Sequence, residues 1–310
     1  MKSIINHKYN PDKIENKMFQ SEITIVKVDC MEYITNILKD ELIKMGWKCS
    51  IISQDKIDYY IELNKPNNKH FFLFFYPLQI SKNVVSYKRY IIYQLEQNVN
   101  NKLSINYKKF HEMNILKYIY DNAALLIDYC EVNVNVIKKY YDNEFKIMNI
   151  PARNEYNQSN ELNKSNISKD YTYDIIFIGS INKRREIILK KLKEKYKVLI
   201  VQNVYGEQLR KLCNQSNICL NIHYYENAIL ERVRLNEMME YGIKIISEKP
   251  CIEDINICNY YSSVHFIEMI DNLDQLIDAI EYVKNIQPIH NLKELEDIFK
   301  EDMYNVFKTL

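Results

Sequence analysis

The feature that most constrains the fold is a regular alternation of short apolar segments with amphipathic segments. EITIVKVDC has the composition of a buried strand, and the segment after it places Ile34, Leu38 and Leu42 at helical spacing before Gly46. The same alternation continues with strand candidates in CSIISQ, KHFFLFFYPL, YIIYQLEQ, AALLIDY and FKIMNIP. Near-continuous apolar strands that alternate with helices predict a parallel sheet covered by helices on both faces.

The pattern stops once and then restarts, which predicts two domains. Residues 151–170 are rich in Asn and Ser and poor in large aliphatic side chains, as expected of a linker or loop. Strand and helix segments resume at YDIIFIGS and continue to LDQLIDAIEYVK, and 310 residues are enough for two medium-sized cores. We therefore predict an α/β chain with Rossmann-like domains at 1–150 and 171–287. Residues 288–310 are predicted to form a helix that crosses back onto the first domain.

Composition excludes several classes of protein. Lys and Arg number 42 against 41 Asp and Glu, with no long basic stripe, so nucleic acid is not an expected partner. The seven cysteines form no C-x-x-C pair and no Cys/His spacing typical of zinc sites, which favours reduced thiols in mostly core positions. The N-terminal residues lack an apolar signal region, and no run reaches the ~18 apolar residues of a membrane span. We expect a cytoplasmic chain, in the host cytoplasm if the protein is viral.

The segment HYYENAILERVRLNEMMEYG raises a question about charge. We predict one helix over 227–242, whose stripe of Arg232, Asn236 and Glu240 faces solvent. Arg234 falls in a different, apolar sector, with Glu231 one turn before it and Glu237 one turn after. These three side chains form either surface ion pairs of roughly 0.2–0.5 kcal/mol each or a half-buried site that binds an anion.

In open parallel sheets, ligands bind beyond the carboxyl ends of the strands, and this rule selects further candidates. It selects Gly179, Ser180, Arg184 and Arg185 after YDIIFI, the residues from His223 to Glu226 after ICLNI, and Ser247 and Glu248 after IKII. Arg184 and Arg185 either lie in a solvated first helical turn or attract an anion. The absence of G-x-G-x-x-G and of a Walker A loop argues against a nicotinamide dehydrogenase and a P-loop enzyme.

Three stretches carry a resemblance to a known family. Arg234, Glu237 and Gly242 fill the order R-x-x-E-x-x-x-x-G before the strand IKIISE, and this resembles the donor-binding helix of GT-B fold glycosyltransferases. The group in question includes spore-coat CgeB-like enzymes and glycosyltransferases of large DNA viruses. HYYEN, and FIGS with the double Arg, are also similar to that group. The resemblance covers residues 171–287; over the first domain it depends on topology and on YQLEQ.

The resemblance implies a nucleotide-sugar donor in the second domain and the acceptor, a glycan, protein or small molecule, in the first. Arg234 would meet the diphosphate, Glu237 the ribose, and Gly179 and Ser180 a phosphate or the sugar. The full set of implied donor-binding residues is Gly179, Ser180, Arg184, His223, Asn227, Glu231, Arg234 and Glu237. His223 is either a donor contact or a packed structural histidine.

The predicted catalytic candidates are carboxylates. Glu226 would lie near the sugar, and an inverting reaction would need a base from the first domain, for which Asp29 and Glu96 are the candidates. Asp29 alternatively caps the helix that follows it. The retaining pattern of two Glu eight residues apart is not met, because Ile229 stands eight before Glu237, so the stereochemical outcome stays open.

The sequence therefore predicts a glycosyltransferase with no cofactor. It contains no D-x-D triplet to bind a metal, and the positive charge of arginine can stabilise a departing diphosphate, so we expect metal independence. A sugar-nucleotide binding protein without turnover and a nucleotide-sugar epimerase of the same fold are the alternatives.

Overall fold

The computed structural model describes residues 21–64, 69–98, 102–154, 171–268, 270–287, 289–308 and 310. Most of the predicted linker, 155–170, lies outside these ranges. In the described residues, no helix combines the length and the apolar content needed to cross a bilayer.

The first half of the chain forms a parallel sheet of six strands in the order β2-β1-β3-β4-β5-β6. These strands are β1 (Glu22–Lys27), β2 (Lys48–Ser53), β3 (His70–Phe74), β4 (Tyr90–Gln94), β5 (Leu125–Asp128) and β6 (Lys146–Ile147). The helices among them are α1 (Glu32–Lys44), α2 (Ile57–Asn64), α3 (Lys82–Tyr87), α4 (Ile105–Glu112), α5 (Ile115–Asn122) and α6 (Glu131–Ile137). The short α2 and α3 were not predicted, and the predicted last strand forms only the two-residue β6.

The second half forms a parallel sheet of five strands in the order β11-β10-β9-β7-β8. These are β7 (Tyr173–Ile178), β8 (Val198–Val201), β9 (Ser216–Asn221), β10 (Lys244–Glu248) and β11 (His265–Ile267). The helices are α7 (Lys183–Lys193), α8 (Gly206–Asn214), α9 (Arg232–Glu240), α10 (Leu273–Lys284) and α11 (Lys293–Phe307), with a 3-10 helix at Ile252–Tyr260.

Both faces of each sheet are buried, which explains why the strands have continuous apolar sequences. In β3, Phe71 and Leu73 belong to one core cluster while Phe72 and Phe74 belong to the other. Successive side chains of a strand point to opposite faces, so both sets are apolar only because helices cover both sides.

The C-terminal helix packs on the first domain. Phe299, Met303 and Phe307 of α11 are buried in the same cluster as the first sheet, and the rings of Trp47 and Phe307 meet edge to face at 6.1 Å. Asp302 of the same helix accepts a hydrogen bond of 2.9 Å from the backbone N–H of Asn149. The chain thus returns across the boundary between the two sheets.

The helix predicted over 227–242 is shorter than expected, because it begins at Arg232. Asn227 has a left-handed backbone with φ of 54°. The carbonyl of Ala228 accepts from Cys251 N–H at 2.8 Å, and Leu230 N–H donates to Asp254 at 3.0 Å. Residues 228–230 are apolar and buried, but their backbone groups bond to other elements in place of a helix.

The prediction of a solvated stripe on this helix is wrong. Arg232, Asn236 and Glu240 are only 6%, 1% and 9% exposed. Arg232 donates to the backbone carbonyl of Tyr129 in the first domain at 2.9 Å and pairs with Asp254. Periodicity within one helix cannot reveal that its polar face is covered by another domain.

Candidate active site

The carboxyl ends of the two sheets face each other across what we call the cleft. On one side are the ends of β1, β3 and β4, and on the other the ends of β7, β8 and β9. Gln97, after β4, donates to the carbonyl of Ile229 at 3.2 Å. A Cβ placed on Gly206, after β8, would lie 3.1 Å from a carboxylate oxygen of Glu32, after β1. These contacts place loops of both domains at the edge where parallel sheets bind ligands.

Arg234 points into the second-domain side of this cleft. Its Nη1 forms an ion pair with Glu231 and donates to the side chain of Asn221, at the end of β9, at 2.7 Å. A Cβ on Gly179 would lie 3.0 Å from Arg234 Nη2. The Arg234 side chain is 20% exposed. The predicted ion pair between Arg234 and Glu231 is present, but it is largely buried, because the guanidinium lies against the ends of β7 and β9.

Arg185 is buried next to Arg234 and bonds to the loops that form the same site. It is 2% exposed and donates to the carbonyls of Ile222 at 3.0 Å and Ser180 at 2.8 Å, and to Glu231 at 3.0 Å. Asn182 caps α7 by accepting from the backbone N–H of Arg185 at 2.9 Å, which fixes the first turn of the helix. A solvated first turn is thus wrong for Arg185, whose role is to hold the loops after β7 and β9.

The cluster of Arg185, Glu231 and Arg234 carries an excess of positive charge. Burial alone raises the pKa of Glu231, but the guanidinium groups of Arg234 and Arg185 outweigh it and hold this pKa below its ordinary value. Burial lowers the pKa of Arg185 to about 10, so this side chain remains a cation at neutral pH. Two cations share one carboxylate, which leaves about one unit of positive charge for an anionic ligand.

Arg184 precedes Arg185 in α7, but its guanidinium bonds to residues outside the cluster of Arg185, Glu231 and Arg234. Its guanidinium pairs through both terminal nitrogens with Glu248, at the end of β10, and approaches Asp271 at 3.1 Å. The backbone N–H of His223 also donates to Glu248, at 3.0 Å. Arg184 therefore ties α7 to β10 and orders the His223 loop.

His223 is buried at the end of β9. The residue is only 1% exposed, and this burial lowers the pKa of its imidazole. Its Nε2 has no hydrogen-bond partner among the described residues. Ser180, Glu226 and Asn227 are exposed, and the last two lie on the turn that precedes the buried segment 228–230.

Glu237 follows Arg234 by one helical turn and faces a different environment. It accepts from the hydroxyl of Tyr241 at 2.7 Å. Burial raises its pKa to about 7; the Tyr241 bond opposes this, while the nearby carboxyls of Glu240 and Glu32 add to it. Near neutral pH, Glu237 therefore exists in both protonation states and is able to donate or to accept.

The first-domain candidates also lie at strand ends. Asp29 is exposed in a 3-10 turn after β1, and the next helix has Met31 at its N-cap with no side-chain cap bond, so the capping role for Asp29 is wrong. Glu96 is partly buried after β4. Its backbone carbonyl accepts hydrogen bonds from the side chains of Gln94 at 2.7 Å and Asn133 at 2.8 Å. Both carboxylates thus belong to the loops that border the cleft.

Sequence reasoning missed some members of the site. Asn221, which orients Arg234, is the last residue of β9, and a rule that selects residues after strands excludes it by one position. The approach of Glu32 to Gly206 joins residues from two domains, and nothing in the sequence pairs them. In the described parts of the chain, no group of three or more His, Cys, Asp or Glu is arranged to hold a metal ion, and metal independence stays a prediction.

Sequence comparison finds relatives among the proteins of a large DNA virus. No family model matches the chain. "Uncharacterized protein L140" of Acanthamoeba polyphaga mimivirus is 25% identical over 62% of this chain, and the match spans 65% of that protein, just under two thirds of its length. "Uncharacterized protein R358" of the same virus is 24% identical, over 83% of this chain and 85% of the relative.

Solved structures show the fold. The chain is similar to AviGT4, a glycosyltransferase involved in avilamycin A biosynthesis, with a TM-score of 0.50, 9% identity and coverage of 93% of both chains. The α/β fold with two Rossmann-like domains of the GT-B type, predicted from the sequence, is thereby confirmed. The narrower resemblance to CgeB-like enzymes stays a prediction.

Proposed function

We propose that the protein is a glycosyltransferase that takes a sugar from a nucleotide-sugar donor held by the second domain. The observation that carries the proposal is the position of Arg234 against Gly179, where the ends of β7 and β9 meet the cleft. This arrangement places a guanidinium directly beside a backbone position that carries no side chain. Both features suit a diphosphate, which accepts hydrogen bonds in pairs and needs close approach to the chain.

The donor diphosphate binds at Arg234 and Gly179 in this proposal, and the positive charge shared by Arg185, Arg234 and Glu231 compensates its charge. Glu237, one turn further along α9, bonds the ribose hydroxyls. Ser180, His223 and Asn227 lie around the phosphate and sugar, with Arg184 and Glu248 holding the His223 loop in place. These roles are the ones that the resemblance to GT-B glycosyltransferases implies.

The chemistry assigns a role to each charged group. The acceptor oxygen bonds to the anomeric carbon as the bond from that carbon to the diphosphate oxygen breaks. The electron pair leaves with the diphosphate, which Arg234 stabilises as its charge grows. In an inverting reaction, Glu96 or Asp29 takes the proton of the acceptor hydroxyl, while Glu226 lies on the donor side near the sugar.

A thermal-shift screen with UDP-, GDP-, ADP- and CMP-sugars tests the donor site. A ligand that binds only the native state raises the melting temperature, so we expect at least one of them to do so. Arg234→Ala should remove most of the shift, because about 1.5–3 kcal/mol of charged hydrogen bonding is lost. Arg153→Ala is the matched control, since Arg153 pairs with Asp40 of α1 and is not part of the cluster formed by Arg185, Glu231 and Arg234.

Two results would contradict the proposal. One is the absence of a shift with every sugar nucleotide, and the other is an equal shift for wild type and Arg234→Ala. Product analysis by NMR then separates the chemistries: an epimerase changes the sugar without an acceptor, and a binding protein yields no product.

A further inference from the structure

The first-domain side of the cleft combines aromatic rings with carboxylates. Asp29 and Cys30 follow β1, Tyr76 follows β3 and Glu96 follows β4. The Cys30 thiol and the Tyr76 hydroxyl lie near each other, and burial raises the pKa of both groups. Asp29 and Cys30 are exposed, whereas Tyr76 and Glu96 are partly buried. The loops after three neighbouring strands therefore place two acids, and a tyrosine that also packs on the first-domain core, at the edge that meets the second domain.

The second domain adds two more tyrosines opposite this surface. Tyr205 follows β8. Its pKa is raised first by burial and then by the nearby Cys30 thiol and Asp29 carboxylate. Tyr225 follows β9 and contacts the ring of Tyr224 at 4.9 Å. Burial raises the pKa of Tyr225 as well, with the Glu96 carboxylate as the next cause. Gly206, next to Tyr205, approaches Glu32, and Gln97, next to Glu96, donates to the carbonyl of Ile229, so these loops meet at one interdomain edge. We call Tyr76, Tyr205 and Tyr225, which lie on these loops, the tyrosine wall.

Charge separates this region from the donor region. The donor region has the excess positive charge of Arg185 and Arg234, but the tyrosine wall is bordered by the carboxylates of Asp29 and Glu96. Glu226 is exposed on the same turn as Tyr225. Lys27, the last residue of β1, is paired with Glu32 at 3.4 Å. An anionic acceptor would be repelled here, while a neutral acceptor rich in hydroxyl groups would find hydrogen-bond acceptors.

We propose that the acceptor is a neutral saccharide whose ring stacks on the tyrosine wall and whose hydroxyls donate to Glu96 and Asp29. This inference rests on the proposed function. The C–H face of a sugar ring is apolar and weakly positive, so it is attracted to the negative face of an aromatic ring. Carboxylates accept strong hydrogen bonds from hydroxyls. The hydroxyl proton passes to the carboxylate as the acceptor oxygen bonds to the anomeric carbon and the diphosphate departs.

Cys30 provides a reporter for occupancy of this surface. It is the exposed cysteine in the described residues; Cys130, Cys213 and Cys219 are buried and the remaining three are partly buried. A saccharide on the tyrosine wall would cover the thiol and slow its alkylation. N-ethylmaleimide labelling followed by mass spectrometry of the Cys30 peptide measures this rate, and saturation-transfer NMR measures contact with the sugar itself.

The experiment uses the full chain saturated with the nucleoside diphosphate that the thermal-shift screen identifies. The probes are cellobiose, maltotriose and N,N′-diacetylchitobiose, compared with trigalacturonic acid, p-nitrophenol and a Ser/Thr peptide. At least one neutral saccharide should slow Cys30 alkylation by about five-fold, at concentrations near ten times its dissociation constant. The charged saccharide should not.

Substitutions of the tyrosines test whether the saccharide binds to their rings. Tyr225→Leu and Tyr205→Leu should each weaken saccharide affinity about ten-fold, a factor equal to 1.4 kcal/mol. Tyr225→Phe, which keeps the ring, should bind nearly as well as wild type. Tyr282→Leu, which removes a ring that is 61% exposed on α10, is the control and should have no effect.

The outcomes are distinguishable from failure of the proposed function. If wild type binds a sugar nucleotide but prefers the acidic saccharide, the phenol or the peptide, or binds no neutral saccharide, the acceptor proposal is overturned and the donor site stands. Saccharide binding that is unchanged in both Leu variants also overturns it. If no sugar nucleotide binds, the proposed function fails first.

Discussion

Arg234 Nη2 lies so close to the backbone of Gly179 that a Cβ at position 179 would stand 3.0 Å from it. Gly179 also has φ of 136°, a backbone conformation that side chains disfavour. Two separate demands, space for a guanidinium and an unusual backbone, thus meet at the end of β7. Glycine is the residue that satisfies both.

Gly179→Ala tests this relationship. The added methyl group should displace Arg234 and lower nucleoside-diphosphate affinity about ten-fold, and the strained backbone should cost about 1–3 kcal/mol of stability. Gly46→Ala is the control, since Gly46 also has positive φ, 91°, but lies at the end of α1 away from the cleft. Calorimetry and urea unfolding measure the two effects. Equal ligand affinity in both variants would contradict the assigned contact.

Replacing Arg185 should lower the free energy of unfolding more than replacing Arg234. Arg185→Met removes bonds to two backbone carbonyls and to Glu231 in a buried site, so we expect a loss of about 3 kcal/mol in unfolding free energy. Arg234→Met should lose less, about 1 kcal/mol, because its side chain is partly exposed. Urea unfolding with both variants measures the difference, and the reverse order would contradict the structural role of Arg185.

The sequence predicted the two sheets because burial on both faces leaves a clear apolar pattern, as in Phe71 to Phe74. The strand-end rule selected Gly179, whereas the assignment of Arg234 to the same donor site came from the resemblance to GT-B glycosyltransferases. These properties depend on short stretches of chain whose period is fixed by backbone geometry.

The remaining features depend on contacts between distant segments. Arg232 is the first residue of α9 and has the spacing of a surface residue, yet it is buried and contacts Tyr129 and Asp254. The backbone of Ala228 bonds to Cys251 in place of a helix. No periodicity encodes such partners, so the start of α9 and the burial of its polar stripe could not be predicted.

Removal of Arg232 should weaken the contact between the domains. Arg232→Met leaves Asp254 without its cation and the carbonyl of Tyr129 without its donor, so we expect a loss of about 3–5 kcal/mol. Lys190→Met, at an exposed position of α7, is the control. Urea unfolding measures the loss, and limited proteolysis shows whether the cleft opens. A cost equal to that of Lys190→Met would refute the buried pair.

Glu237→Gln should change how stability depends on pH. Burial, followed by the carboxyls of Glu240 and Glu32, raises the pKa of Glu237 from 4.5 to about 7, although Tyr241 and Arg234 oppose the change. Below pH 4.5 the carboxyl is protonated in both the folded and the unfolded chain. Between pH 4.5 and 7 the unfolded chain loses the proton first, so the folded state loses stability as the pH rises.

The Gln variant cannot ionise and should escape this loss. Its advantage over wild type should grow from pH 4.5 to 7 and then level off, at no more than about 3 kcal/mol. Urea unfolding at a series of pH values measures the difference, in which the contributions of other groups such as Asp128 cancel. Glu226→Gln, at an exposed position, should follow the wild-type curve. A Glu237→Gln curve parallel to wild type would show that Glu237 titrates as an ordinary surface carboxylate.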